Sequence, residues 1–90
     1  MQLGAHIVIK GVVQGVGFRY FAYRQASKLA LIGYVRNLYS GEVEIEVFGE
    51  RSALEEFIKE IKVGPRSAHV SDMRVEWKEY ESKNNGFEIR

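Results

Sequence analysis

Ala5-His6-Ile7-Val8-Ile9-Lys10-Gly11-Val12-Val13-Gln14-Gly15-Val16-Gly17-Phe18-Arg19 holds a strand, a glycine turn and the start of a helix in one short run. Ile7, Ile9 and Val13 fall on one face of the segment from Ala5 to Gln14, and Val8 and Val12 make the other face apolar too. Two apolar faces suit a strand with neighbours on both sides. From Phe18 the period changes. Phe18, Ala22, Ala26 and Leu29 recur at helical spacing, which predicts an amphipathic helix running to about Leu31.

Working outward, Gly33 ends the connection and Tyr34 to Leu38 reads as a second strand. After the turn Tyr39-Ser40-Gly41, Val43, Ile45 and Val47 alternate with Glu42, Glu44 and Glu46, a third strand with one buried and one wet face. Ser52-Ala53-Leu54-Glu55 has the form of a capping box, with Ser52 at the N-cap. Leu54, Phe57, Ile58 and Ile61 then line one face of a second helix, which Gly64-Pro65 stops. A fourth strand is expected from about Ala68 to Tyr80 with Met73, Val75 and Trp77 inward. Lys83-Asn84-Asn85-Gly86 reads as a turn before a short strand at Phe87-Glu88-Ile89.

The order β-α-β-β-α-β with a short C-terminal strand makes this an α+β chain of ferredoxin-like topology. It predicts an α/β sandwich with two helices on one face of a mainly antiparallel sheet. In that topology the first and second strands run parallel with the third between them. Their C-terminal ends emerge at one edge of the sheet, roughly 10 Å apart at two strand spacings. That places the 14–19 loop beside the end of the second strand.

Composition bounds what such a site could do. Ninety residues with a 46% hydrophobic share and eleven aromatics (five Phe, five Tyr, one Trp) support one domain, expected to span residues 1–90. Thirteen basic against twelve acidic residues leave a formal charge of only +1, which disfavours nucleic acid as a partner. The absence of cysteine excludes disulfides, thiolate metal sites and cysteine nucleophiles. His6 and His69 have no ligand-like spacing, so neither a metal nor another cofactor is expected. No apolar run approaches the roughly 20 residues of a membrane span, and the N-terminus lacks the plan of a signal peptide. The expectation is a soluble, cytoplasmic monomer that uses no membrane.

Two segments carry possible chemistry. Glycines at 15 and 17 allow successive N–H groups to turn inward, and the helix start adds unsatisfied donors and positive dipole potential. The loop is thus an anion cradle, although it matches neither the Walker loop nor the dinucleotide fingerprint. Arg19 sits in the first helical turn, facing the positive end of the dipole. A bound anion reverses that penalty, and the guanidinium can grip two phosphate oxygens. Asn37, before the turn at Tyr39-Ser40-Gly41, cannot act as a base, but its amide can hold a water through donor and acceptor together. A tight turn, a solvated arginine and an Asx turn remain the plain structural readings of these same residues.

The blocks Gly11 to Arg19 and Gly33 to Glu44, at this separation in a chain of this size, resemble the acylphosphatases. That resemblance implies hydrolysis of acyl phosphates to a carboxylate and inorganic phosphate, without a metal. It implies that the N–H groups of Gly15, Val16, Gly17, Phe18 and Arg19 wrap the phosphoryl oxygens, that the Arg19 side chain binds the same group, and that Asn37 positions the attacking water. Inorganic phosphate is then both product and competitive inhibitor. Family members commonly carry tryptophan where Tyr34 stands and often Asp-Gly where Ser40-Gly41 stands, exchanges that bear on packing and turn rather than chemistry. Two other readings stay open: a ferredoxin-like binding module without catalysis, and the acylphosphatase-like piece of a larger carbamoyl-transfer protein. The acidic third strand disfavours an RNA-binding version of the first, and a chain beginning at Met1 with 90 residues favours a stand-alone enzyme over the second.

Overall fold

Alternating apolar residues pair into a sheet, and two helices cover one of its faces. The computed structural model describes residues 1–81 and 85–90. The elements follow in the order β1 (Gln2–Val12), α1 (Phe18–Lys28), β2 (Ile32–Asn37), β3 (Val43–Glu50), α2 (Arg51–Val63), β4 (His69–Glu79) and β5 (Phe87–Ile89). In space the strands lie β4-β1-β3-β2-β5. β1 is antiparallel to β3 and β4, β2 is antiparallel to β3, and β5 joins β2 in parallel. β1 and β2 therefore point the same way with β3 between them, the ferredoxin-like arrangement expected.

Period-two alternation sends Ala5, Ile7 and Ile9 of β1 and Val43, Ile45 and Val47 of β3 to the helical side, all fully buried. Phe18, Ala22 and Ala26 of α1 and Leu54, Phe57 and Ile61 of α2 close over them. Phe57 meets Phe87 with ring centroids 6.3 Å apart, which ties α2 to β5.

Several expected details differ, each for a local reason. β1 ends at Val12 and not at Gln14, after a register shift between Lys10 and Gly11. α1 ends at Lys28 and not near Leu31, because Ala30 at φ 57° reverses the chain. Ala26 O then accepts from the N–H groups of both Leu29 (3.2 Å) and Leu31 (2.9 Å), and Leu31 turns back into the core. Gly33 lies inside β2, where close packing against β3 leaves no room for a side chain: a Cβ would stand 1.9 Å from Glu46 O.

The capping box does not form. β3 runs directly into α2, with Glu50 extended at the N-cap position and Ser52 already inside the helix. The β1–β3 register reaches Gln2 opposite Glu50, so the Met1 carbonyl takes the Arg51 N–H at 2.9 Å. Trp77 is not in the core but 47% exposed, on the edge strand β4, with the Arg51 guanidinium 5.9 Å above its ring. Met73 and Val75 do pack against the core. The expected turn at 83–86 falls partly on Lys83 and Asn84, outside the described residues. Among the described residues no helix is long and apolar enough to cross a membrane.

Candidate active site

Two buried side chains fix the strand-to-helix loop from below. Val13 and Phe18, 1% and 2% exposed, anchor its ends in the core. Between them Gly15 and Gly17 adopt φ of 73° and 77°, with Gly17 left-handed at the N-cap of α1. A Cβ at either position meets nothing within 4 Å. Backbone conformation, not crowding, is therefore what calls for glycine here. No side chain caps α1 and no acidic residue sits in its first turn. The first-turn N–H groups thus keep their positive potential for an anion.

The loop, Arg19 and Asn37 share one concavity of ≈ 240 Å³. Gly15, Gly17, Phe18 and Arg19 line it together with Val13, Tyr20, Asn37 and Ile89. Of the five residues expected to present backbone donors, only Val16 is absent from the lining, and it packs half-buried against the core. Asn37, the last residue of β2, holds its Oδ1 buried with no hydrogen-bond partner among the described residues. A buried acceptor left unpaired costs about 1–3 kcal/mol unless a donor reaches it. The Arg19 side chain is exposed, and its Nη1 donates to the main-chain oxygen of Arg90 at 3.0 Å.

Gln14 joins the two halves of the site. Its Nε2 donates to Leu38 O at 2.7 Å and to Glu42 O at 2.8 Å, clasping the β2–β3 connection to the end of β1. Sequence reasoning passed over both Gln14 and Arg90. A glutamine in a loop carries no pattern of its own, and the role of Arg90 depends on the parallel β2–β5 pairing.

The groups with shifted titration lie elsewhere. Tyr34, Arg36, Glu44 and Lys78 sit on the face of the sheet away from the helices, by the alternation that buries Val35 and Ile45. Burial, with Glu44 and Glu46 nearby, raises the Tyr34 phenol. Burial alone would also raise the Glu44 carboxyl, but hydrogen bonds with His6 (2.9 Å) and with Arg36 Nε outweigh it and hold it below its usual range. The bond to Glu46 at 2.9 Å raises the Lys78 ammonium. Neither histidine lines the concavity, and among the described residues no three His, Asp or Glu side chains gather as metal ligands would.

The Acylphosphatase family model matches residues 5–89. The acylphosphatase of Vibrio vulnificus is 46% identical over 85 residues, covering 91% of this chain and 90% of that one. The acylphosphatase structure from Bacillus subtilis superimposes with a TM-score of 0.94 at 38% identity, covering 98% of both chains. Full-length HypF in its phosphate- and nucleotide-bound form also contains the fold, with a TM-score of 0.87 at 34% identity, but there the match spans all of this chain and 12% of that one.

Proposed function

The chain belongs to the acylphosphatase family, an enzyme family acting on small acyl phosphates, and from that premise we propose how its residues divide the work. The N–H groups of the loop from Gly15 to Arg19, with the Arg19 guanidinium, hold the phosphoryl group. Asn37 holds the attacking water through its side-chain amide. The observation that carries this reading is that Asn37 lines the same concavity as Arg19 and the two glycines.

The chemistry asks for little more. Water oxygen bonds to phosphorus as the bond from phosphorus to the carboxyl oxygen breaks, and the bonding pair leaves with the carboxylate. That anion is stable near neutral pH, so the leaving group needs no general acid. The water's proton passes to a phosphoryl oxygen of the substrate, giving inorganic phosphate. What the protein supplies is position and fixed positive potential for a loose transition state. No step uses a metal or cofactor, and inorganic phosphate competes for the same cradle. The enzyme acts as a cytoplasmic monomer made of one domain.

Hydrolysis of benzoyl phosphate in the presence of EDTA, beside the Arg19→Ala variant, tests the reading. Turnover that survives the chelator and disappears in the variant supports it. Turnover that stops with EDTA, or persists in a folded Arg19→Ala protein, refutes it.

A further inference from the structure

Charge in this molecule is segregated along the chain. Residues 1–41 contain Lys10, Arg19, Arg24, Lys28 and Arg36 and not one Asp or Glu. On α2 two of the three cations are partnered, Arg51 with Glu55 and Lys59 with Glu56. On α1 they are not: among the described residues Arg24 and Lys28 take part in no ion pair. Both line a groove of ≈ 360 Å³ that runs along α1 from Gly17 past Tyr20 to Lys28, with Pro65 on its far side.

The groove opens into the proposed active site. Gly17 and Tyr20 border both hollows. The Arg24 guanidinium leans back over the Tyr20 ring, 5.9 Å from its centroid, and that contact favours this posture. Tyr20 lies three residues, about 4.5 Å of helical rise, beyond Gly17. The shared border at Gly17 and Tyr20 therefore brings an exposed cation, Arg24, to the hollow that adjoins the phosphate cradle.

We propose that this groove is a specificity subsite for an acyl phosphate whose acyl part carries a second anionic group, a carboxylate or a phosphate, with Arg24 as its main ligand and Lys28 behind it. The proposal rests on the placement of the phosphoryl group in the Gly15–Arg19 loop. It assigns the groove discrimination among acyl groups and leaves the chemical step to Arg19 and Asn37.

The test compares three substrates of similar length: butanoyl phosphate, succinyl phosphate and 3-phosphonopropanoyl phosphate. In the native protein kcat/KM is expected to be higher for one or both charged acyl groups, through KM, and the preference should shrink as salt rises. Arg24→Gln should cut that preference roughly three- to tenfold, the range of a charge-assisted contact made by an exposed side chain, while butanoyl phosphate stays within about twofold. Lys28→Gln should have a smaller effect of the same kind. The two charged substrates separate a preference for carboxylate from one for a phosphate-like dianion. Equal kcat/KM for all three substrates, or an Arg24→Gln loss shared equally by butanoyl phosphate, overturns the subsite. Butanoyl phosphate turnover itself reports on the loop and Asn37, and the substrate ratio reports on the groove, so the two failures are distinguishable.

Discussion

Arg19 Nη1 donates to the main-chain oxygen of Arg90 at 3.0 Å, which ties the first turn of α1 to the residue after β5. The same residue is held on the other side, where its N–H donates to Val35 O at 2.8 Å and its guanidinium lies 4.2 Å from the Tyr34 ring centroid. A strand of only three residues thus sets the direction of the proposed phosphate ligand. Because the acceptor is backbone, Arg90→Ala should change phosphate affinity by less than about twofold, the effect of one exposed side chain. Deleting Arg90 should weaken it several-fold. Inhibition of turnover by inorganic phosphate checks both; equal effects of the two changes would remove Arg90 O from the account.

Gln14 is the second positioning residue. Gln14→Ala leaves Leu38 O and Glu42 O without their side-chain donor and frees the connection that follows Asn37. The expected cost is about 1–3 kcal/mol of stability, with a fall in kcat larger than the change in phosphate inhibition. Gln14→Glu, which sets a carboxylate against two carbonyl oxygens, should be worse on both counts. Urea unfolding alongside steady-state kinetics reads the two effects separately.

Gly15→Ala and Gly17→Ala test the cradle itself. Neither creates a clash, since a Cβ at either position meets nothing within 4 Å. Each should cost about 1–2 kcal/mol from the positive φ alone. Relaxing that strain turns the N–H groups away from the anion, so phosphate affinity should fall in proteins that remain folded at 25 °C. A folded variant with native phosphate affinity would show that the loop's N–H groups are not the ligands.

Much of this was legible in the sequence. The alternation at Val43–Val47 and the four-four-three spacing from Phe18 gave the strand and helix, and element order alone brought the 15–19 loop to Asn37. What stayed hidden depends on partners distant along the chain. Ser52 and Glu55 have the spacing of a capping box, but β3 runs straight into α2, which starts before Ser52, and the Met1 carbonyl takes the Arg51 N–H. Trp77 fits the inward period of its strand, yet β4 is an edge strand and leaves it half exposed. Gly33 looked like the end of a connection, whereas its role is the close approach of β2 to Glu46.

The pH dependence of stability and of rate should separate. Glu44 has a folded-state value below its ordinary 4.5. Its contribution to stability is therefore fully present above that ordinary value and is lost as pH falls through the lower, folded one. Glu44→Gln should be less stable at pH 7 and show a flatter acid limb in urea titrations. Its kcat should be unchanged, because Glu44 faces away from the concavity. In the native enzyme kcat should show no inflection near pH 7 from a side chain; a histidine-like titration there would contradict proton transfer to the substrate's own phosphoryl oxygen.

The division of labour between Arg19 and Asn37 is tested most directly by measuring kcat and phosphate inhibition together in Asn37→Ala. A fall in kcat of about 10²–10³ is expected, the size of losing one preorganised group, with the inhibition constant for phosphate within about twofold of native. A rise in that constant in step with the loss of kcat would place Asn37 on the phosphoryl group instead of the water, and would contradict the mechanism.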